Sequence, residues 1–289
     1  MFLERGLFPK KRQNLKWYMN NFVTRTITGT LLVGLIIASI LVHPFFFAGL
    51  FSLFVVLAQY EFSEMVRPGG RGIRLWAALG SGALLFLVVF LNAWADVSLS
   101  ALLLLVPLLL LLLVNELYAR SEHPAQDVAL SLMGLVYVAV PFSFLNYLLM
   151  PESGVFLPGQ LLGFFVLLWT SDTAAYVFGV SFGKHRLFER ISPRKSWEGL
   201  AGSFVCSLLM AMLISWYLDF PGLLHWMVVA VLIVSAGVLG DLFESLLKRT
   251  AGVKDSGTLL PGHGGFLDRF DSVLFAAPLV YVYVHFFVF

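Results

Sequence analysis

Cysteine and charge are both scarce in this sequence. Cys206 is the single cysteine, which excludes an internal disulfide, a CxxC metal knuckle and a thiolate cluster. Only 12% of the 289 residues are charged, and no polar stretch is long enough to form a separate soluble domain. A Walker A phosphate loop is also missing, because near Gly183-Lys184 position 178 is Phe and position 185 is His. These gaps exclude thiolate metal chemistry and a P-loop nucleotide site.

Apolar residues, in contrast, are abundant. The sequence is 59% hydrophobic, with a mean hydropathy of +0.88, far above the apolar share of a soluble domain. A bilayer core about 30 Å thick needs about 20 apolar residues per helix. Long runs such as that from Ala101 to Val114 favour helices over the short alternating segments of a transmembrane barrel. We therefore predict an all-α polytopic membrane protein, with residues 1–289 forming a single integral membrane domain.

Hydropathy predicts nine transmembrane helices with short connections, except for longer polar loops after the sixth and eighth. The predicted spans cover residues 25–43, 45–65, 75–92, 97–115, 128–150, 159–180, 199–218, 224–247 and 270–289. We interpret residues 1–24 as a cytoplasmic amphipathic lead-in, residues 25–150 as scaffold helices and residues 159–289 as catalytic helices and loops. Glu61 and Glu64 lie one helical turn apart near the end of span two, and we interpret them as a solvated rim.

The basic residues predict the orientation of these spans. With the N-terminus inside, all 19 Lys and Arg residues fall in or beside segments on the same side of the membrane. Cytoplasmic segments of membrane proteins carry such an excess of positive charge. We therefore expect a cytoplasmic N-terminus, and both long polar loops should face the cytoplasm, where nucleotides are found.

Asp172 is the first candidate for chemistry, because it lies about two helical turns inside the cytoplasmic end of span six. A carboxylate near mid-membrane costs about 2.5 to 3.5 kcal/mol on insertion scales, so it normally faces a polar cavity. Ala175, Tyr176 and Gly179 follow it on the same helical face. The alternative is a helix-packing face of small residues, with Asp172 hydrogen-bonded to a neighbour.

The loop after span six concentrates cations in the segment SPRKSWEG, residues 192–199. Ser192, Lys195 and Ser196 stand just before a new helix, and a helix N-terminus presents free N–H groups to a phosphate. These three residues are therefore candidate substrate contacts. The alternative for such a basic loop is a topology signal or a contact with lipid headgroups.

The end of span eight carries a second polar stripe. Asp241, Glu244, Ser245 and Lys248 are spaced i, i+3, i+4 and i+7, which places them on one helical face. A polar stripe on a membrane helix must face protein or water, so we expect it to line an aqueous cleft. Asp268 and Asp271, at i and i+3, begin span nine as a pair of carboxylates on one face.

The connecting loop adds Lys254, Asp255 and the turn PGHGG, residues 261–265. Glycines in such a turn let backbone N–H groups approach an anion closely. Carboxylates among cations and glycines suit Mg²⁺, which takes oxygen ligands and bridges carboxylates to substrate phosphates. Transfer of a phosphoryl-type group then needs positioning and charge neutralisation more than a protein nucleophile.

Residues 245–271 resemble the signature of the phosphatidate cytidylyltransferase family, the CDP-diacylglycerol synthases, over 27 consecutive positions. The segments SDTAAYVFG, SPRKSWEG and GDLFES resemble further blocks of that family in the same order, so the similarity spans about residues 165–275. The first five spans resemble the family only in hydropathy. Arg194 and Ser196 stand where Lys and Thr are expected, which retains the charge and the hydroxyl.

The resemblance implies that CTP and phosphatidate react to CDP-diacylglycerol and pyrophosphate, with Mg²⁺ as the cofactor. Asp241 and Asp268 would be the leading metal ligands, with Asp172 and Asp271 in support. The other implied catalytic and substrate-binding residues are Ser192, Lys195, Ser196, Glu244, Ser245, Lys248, Arg249, Lys254, Asp255, His263, Gly264, Gly265 and Arg269. The implied setting is the bacterial cytoplasmic (inner) membrane, with the site facing the cytoplasm, a homodimer as the assembly and no nucleic acid as a partner.

Two other functions are compatible with parts of the pattern. A CTP-dependent lipid or polyprenol kinase would share the nucleotide cleft but pass on the γ-phosphate. An ion or phosphate transporter would also bury carboxylates in its spans, but it predicts inverted repeats and broken helices in both halves. The polar residues here crowd into the C-terminal half, which disfavours transport.

Overall fold

The structure is a computed structural model that describes residues 10–66, 73–119, 121–152, 154–218, 221–262 and 264–289. Across these ranges the chain forms α1 (Lys10–Val42), α2 (Pro44–Val66), α3 (Ile73–Ala95), α4 (Leu105–Ala119), α5 (Pro124–Gly134), α6 (Val140–Leu149), α7 (Pro158–Phe182), α8 (Trp197–Tyr217), α9 (Leu223–Thr250) and α10 (Asp271–Phe287). An antiparallel hairpin of β1 (Arg186–Phe188) and β2 (Ser192–Ser196) joins α7 to α8. Residues 1–9 of the predicted lead-in lie outside the described residues.

Eight segments of the described chain are helical, long and apolar enough to cross a membrane. Two of them are composite, because a 3₁₀ segment at Leu99–Leu104 leads into α4 and a π-helical turn at Leu135–Ala139 joins α5 to α6. The ninth predicted span corresponds to α10, whose 17 residues are about 26 Å long at 1.5 Å per residue. The all-α polytopic fold class is confirmed, with one span shorter than the other eight.

An aromatic core joins the N-terminal helices to the C-terminal ones. The ring of Phe51 in α2 lies 6.3 Å from that of Phe142 in α6 and 6.2 Å from that of Phe165 in α7. Phe142 in turn lies 5.2 Å from Phe270, directly before α10. Because lipid tails are as apolar as these rings, the hydrophobic effect does not drive the helices together, and close packing of the rings stabilises the core instead. Each aromatic pair contributes about 0.5 to 1.5 kcal/mol. The scaffold helices and the polar C-terminal helices therefore share one core.

Small residues bring the polar helices close together. At Gly240 of α9 a Cβ atom would lie 2.4 Å from the carbonyl oxygen of Asp271, so only glycine allows α10 to begin against α9. Between α7 and α8, Ser203 Oγ donates to the carbonyl oxygen of Ser171 at 2.8 Å. Such small and hydroxylated residues are typical of helix contacts in membranes. The ends of α7 and α9 and the beginnings of α8 and α10 converge as a result.

The polar segment after α7 folds as the β1–β2 hairpin, whereas the sequence predicts a loop there. Trp197 N donates to His185 O at 3.0 Å, and this bond closes the hairpin onto α8. Ser196 Oγ accepts a hydrogen bond from Gly199 N at 3.1 Å and so caps α8. The predicted helix start within SPRKSWEG is confirmed, and the hairpin positions Lys195 beside α9.

Candidate active site

A polar cleft of about 410 Å³ lies where α7, β2, α8, α9 and the start of α10 meet. Eight residues that the sequence predicts for the site line this cleft: Asp172, Ser192, Lys195, Ser196, Asp241, Asp268, Arg269 and Asp271. Arg194 and Tyr176 line it as well. Arg194 was noted in the sequence only as a departure from the family pattern, although the charge of SPRKSWEG was the signal that could have identified it. The tertiary structure thus unites segments that are far apart in the chain.

An ion pair between β2 and α9 lies in this cleft. Lys195 Nζ is 2.7 Å from Asp241 Oδ2, and it also donates to Val238 O at 3.3 Å. Ser245 Oγ donates to Asp241 Oδ1 at 3.2 Å. The side chains of Lys195 and Asp241 remain 20% and 38% exposed. Because partly exposed ion pairs are weak, a phosphate or a cation can exchange with either partner.

Asp268 accepts three hydrogen bonds at the edge of the cleft. Its Oδ2 accepts hydrogen bonds from Ser256 N and Gly265 N, each at 3.1 Å, and its Oδ1 accepts one from Lys248 Nζ at 2.5 Å. Burial raises the pKa of Asp268, but the hydrogen bond and charge of Lys248, together with the Ser256 N–H, outweigh burial and hold the pKa below its ordinary value. Asp268 is therefore ionised, and it organises the loop before α10.

The predicted stripe does share one face of α9, but most of that face meets protein. Lys248 Nζ lies 2.6 Å from Glu244 Oε2 and also pairs with Asp268. Glu244 is fully buried, and Ser245 and Lys248 are only 9% exposed. The expectation that the whole stripe lines an aqueous cleft is therefore wrong, since only Asp241 of the four lines it. A carboxylate inside a protein needs a cation as its partner, and Lys248 is that cation for both Glu244 and Asp268.

Of Gly264 and Gly265, only Gly265 binds an anion through its N–H group, and that anion is the Asp268 carboxylate. Gly265 N donates to Asp268, while Gly264 N donates to Leu260 O at 3.2 Å. A Cβ atom at Gly265 would lie 1.8 Å from Ser256 Oγ and 2.6 Å from Asp268 Oδ2, so no larger residue fits. Both N–H groups thus fold the loop, instead of facing the cleft as predicted.

Four other predicted residues do not line the cleft or lie outside the described residues. Arg249, Lys254 and Asp255 are exposed at the end of α9 and in the loop that follows. Arg249 Nη1 donates to Val253 O at 3.3 Å, which ties the loop back to the helix. His263 lies outside the described residues. Contacts of these four residues with a substrate stay predictions from the sequence.

Glu61 corrects the interpretation of span two as scaffold with a solvated rim. Its side chain is only 2% exposed, and it reaches from α2 into the loop between α9 and α10. Glu61 Oε2 accepts hydrogen bonds from Ser256 Oγ at 3.1 Å and Leu267 N at 2.8 Å, and Oε1 accepts one from Leu259 N at 3.3 Å. The signal in the sequence was an acid inside an apolar helix, which membranes seldom tolerate without a function.

Helix α1 also holds this loop. Arg25 Nε donates to Gly262 O at 2.5 Å. Thr28 Oγ1 shares its hydrogen between Thr24 O of its own helix, at 2.8 Å, and Pro261 O, at 3.2 Å. Pro261 and Gly262 are thus anchored to α1, and Ser256 and Leu267 are anchored to α2 through Glu61. Two helices that the sequence assigned to the scaffold therefore help to shape the site.

The carboxylates of the cleft are the candidate ligands of the predicted magnesium site. Four aspartates line the cleft, and oxygen is the ligand that Mg²⁺ prefers. Among the residues that the structure describes, no three side chains of His, Cys, Asp or Glu are grouped so as to hold a metal ion. Mg²⁺ commonly binds one or two carboxylates together with substrate phosphates. The donor set therefore fits a metal that is completed by a bound polyphosphate, and it does not form an all-protein cage.

The chain is similar to a known protein family and to several of its members. Residues 23–287 match the profile described as the cytidylyltransferase family, from α1 to α10. Similar proteins named phosphatidate cytidylyltransferase include those of Staphylococcus saprophyticus (40% identical over 177 residues), Staphylococcus haemolyticus (39% over 178) and Staphylococcus aureus (38% over 178). Each of these alignments covers 61% of this chain and 66% of the relative.

Proposed function

Because the chain belongs to the cytidylyltransferase family, we propose that it transfers the cytidylyl group of CTP to phosphatidate, forming CDP-diacylglycerol and pyrophosphate. Relatives named phosphatidate cytidylyltransferase, 38% to 40% identical, support this pair of substrates. The observation that carries the proposal is the cleft in which four aspartates lie among Arg194, Lys195 and Arg269 at the ends of membrane helices. Such a cleft suits a polyphosphate that meets a lipid headgroup.

In this reaction a phosphate oxygen of phosphatidate attacks the α-phosphorus of CTP. The bond from that phosphorus to the oxygen that bridges to the β-phosphate breaks, and pyrophosphate leaves with the electron pair of that bond. Arg194 and Lys195 of β2, with Arg269 before α10, provide positive charge where the transition state gathers negative charge. Catalysis then rests on positioning and electrostatics, without a covalent intermediate on the protein.

Mg²⁺ is the proposed cofactor, with Asp241 and Asp268 as leading ligands and Asp172 and Asp271 in support. When bound, it would neutralise charge on the triphosphate and on the departing pyrophosphate. Three of the roughly four lone-pair positions of Asp268 already accept hydrogen bonds, which leaves about one for a metal. Lys195 would release Asp241 to the metal and turn to the triphosphate, since their ion pair is partly exposed.

The proposed location is the bacterial cytoplasmic membrane, with the cleft open to the cytoplasm. Support comes from the basic residues, which all lie on the side that would be cytoplasmic in a nine-span chain. Lys195 and Arg269, which line the cleft, are among these basic residues, and this supports a cleft on that same side. A homodimer is proposed from the family resemblance alone.

The deciding experiment follows the label of CTP. The full-length protein, purified in detergent, is incubated with Mg²⁺, phosphatidate and CTP that is labelled either at the α-phosphate or at the γ-phosphate. A cytidylyltransferase moves only the α-label into lipid, whereas a lipid kinase moves only the γ-label. Label from the γ-phosphate in the lipid fraction, or no transfer of either label, would overturn the proposed function.

A further inference from the structure

The β1–β2 hairpin lines the polar cleft on one side and faces outward on the other. Leu187, Arg194 and Lys195 line the cleft. Arg186 and Phe188 flank Leu187 in β1, and successive side chains of a strand point to opposite faces, so these two point away from the cleft. Arg186 is exposed, and Phe188 is 50% exposed. This side of the hairpin is therefore open to a partner.

The outward side of the hairpin is cationic. Residues 183–196 contain five Lys and Arg residues and a single acid. Two of these cations line the cleft, and the other three are exposed: Lys184, Arg186 and Arg190. Within the described part of the chain, their side chains make no hydrogen bond and no ion pair. Together with Phe188, these three cations form the surface that we call the outer face of the hairpin.

The hairpin rises from two helix ends that face lipid. Only 28% of the most apolar stretch of α8 is buried within the protein. Phe182, the last residue of α7, is 60% exposed, and Trp197, the first residue of α8, is 57% exposed. Aromatic residues at the ends of membrane spans typically lie at the level of the lipid headgroups. The hairpin between Phe182 and Trp197 therefore begins in the headgroup layer of the bilayer.

Both strands of the hairpin are tied to helices. His185, directly before β1, accepts a hydrogen bond from Trp197 N at its carbonyl oxygen, and its own N–H donates to Glu198 Oε1 at 3.1 Å. In β2, Lys195 Nζ lies 2.7 Å from Asp241 Oδ2 in α9. These bonds fix the hairpin against α8 and α9, so its outer face keeps its position at the membrane surface.

We propose that the outer face of the hairpin docks on anionic headgroups of the lipids that surround the protein. Its three unpaired cations complement a negatively charged headgroup, and such cations strengthen contact with anionic membranes. Phe188 lies among them and can enter the interfacial layer, where aromatic rings are favoured. The nucleotide is assigned to the cleft, on the other side of β1. The docked lipid is thus a bilayer component and is distinct from both proposed substrates.

The test measures this contact directly, without turnover. In the full-length protein Phe188 is replaced by the photocrosslinker p-benzoylphenylalanine, and the protein is reconstituted in vesicles of equal parts phosphatidylglycerol and phosphatidylcholine. Tritium is placed in either lipid, and the label bound to the protein is counted after illumination. We expect more crosslinking to phosphatidylglycerol than to phosphatidylcholine. High salt should reduce this preference, because it screens exposed charges.

Charge variants of the hairpin provide the controls. Arg186→Gln with Arg190→Gln should lower the preference for phosphatidylglycerol by roughly fivefold for each arginine, or about 25-fold for both. Glu189→Gln is the matched control, because it removes the opposite charge from the same hairpin and should keep or raise the preference. Excess CTP should not displace the crosslinked lipid.

Equal crosslinking to both lipids would overturn the proposal, and so would a preference that survives the loss of both arginines. Crosslinking to a second copy of the chain instead of lipid would make the outer face a protein interface. Loss of crosslinking on addition of CTP would assign it to the nucleotide site. The proposed function is tested separately, because a protein that transfers no α-label can still crosslink phosphatidylglycerol, and the reverse also holds.

Discussion

Replacing Glu61 with glutamine tests whether α2 positions the site from outside it. The substitution keeps the shape of the side chain but removes its charge and turns one acceptor into a donor. Two of the three hydrogen bonds that Glu61 accepts converge on Oε2, so the amide oxygen will take that position. The amide NH₂ then faces Leu259 N, which loses its acceptor.

The size of the effect follows from these three bonds. Hydrogen bonds to a charged group contribute about 1.5 to 3 kcal/mol and neutral ones about 0.5 to 1.5, so each of the two retained bonds weakens by about 1 kcal/mol. The unsatisfied N–H of Leu259 costs about 1 to 3 kcal/mol more. The loop is therefore destabilised by about 3 to 5 kcal/mol in total. If half of the lower figure displaces the loop, the ratio of ordered to displaced loop falls about tenfold, since 1.4 kcal/mol is a factor of ten in an equilibrium constant.

Activity should fall when the loop is displaced, because Ser256 connects Glu61 to Asp268. Ser256 donates its hydroxyl to Glu61 and its backbone N–H to Asp268, so a displaced loop misplaces the carboxylate in the cleft. We expect kcat for transfer of the CTP α-label to fall about tenfold or more. The KM for CTP should change less, since Arg194 and Lys195 lie on β2, away from the loop.

Glu64→Gln is the matched control, because Glu64 lies one helical turn farther along α2 and stays partly exposed. The same change of charge there should leave kcat close to that of the unmodified protein. A double-mutant cycle with Ser256→Ala adds a second readout, and the two losses should not add if both act on one network. Full activity in Glu61→Gln, or equal losses in both glutamine variants, would refute the role of Glu61.

Three further predictions concern the aspartates of the cleft, the buried charges beside it and the proposed metal. Asp241→Asn and Asp268→Asn should each abolish transfer of the α-label while the protein still elutes as a folded species in detergent, and full activity in either would remove that residue from the metal site. Lys248→Met should lower thermal stability by about 3 to 5 kcal/mol, because it leaves Glu244 and Asp268 without their cation; the exposed neighbour Arg249→Met should not, and an equal shift in both would contradict the buried network. Chelation of divalent ions with EDTA should stop turnover and added Mg²⁺ should restore it, whereas undiminished activity in EDTA would exclude a divalent cofactor.

The membrane fold could be predicted from the sequence because its signal is local. Each span needs about 20 consecutive apolar residues, and hydropathy reports that requirement without any knowledge of tertiary contacts. The polar candidates followed in the same way, since an acid such as Asp172 inside an apolar run is expensive unless it faces a cavity. The sequence also predicted a site in the C-terminal half, and the structure brings eight of the predicted residues together around one cleft.

Helical spacing, by contrast, shows which residues share a face but not what that face meets. The stripe from Asp241 to Lys248 was correctly placed on one side of α9, yet Glu244 and Lys248 are buried against protein. The deciding partner of Lys248, Asp268, lies 20 residues farther along the chain. The hairpin before α8 was missed for a related reason, because its strands are too short to show a period of their own.

Glu61 shows most clearly what sequence patterns cannot predict, since its partners Ser256 and Leu267 are 195 and 206 residues away in the chain. From the sequence by itself, the apolar periodicity and the clustering of charge determined the all-α membrane fold and the identity of the polar segments. Only the tertiary structure decided which acids line the cleft and which form buried ion pairs. It also showed that α1 and α2 hold the loop between α9 and α10. The physical reason is that burial of a polar group is settled by the partner it meets, and that partner comes from helix packing and not from neighbouring residues.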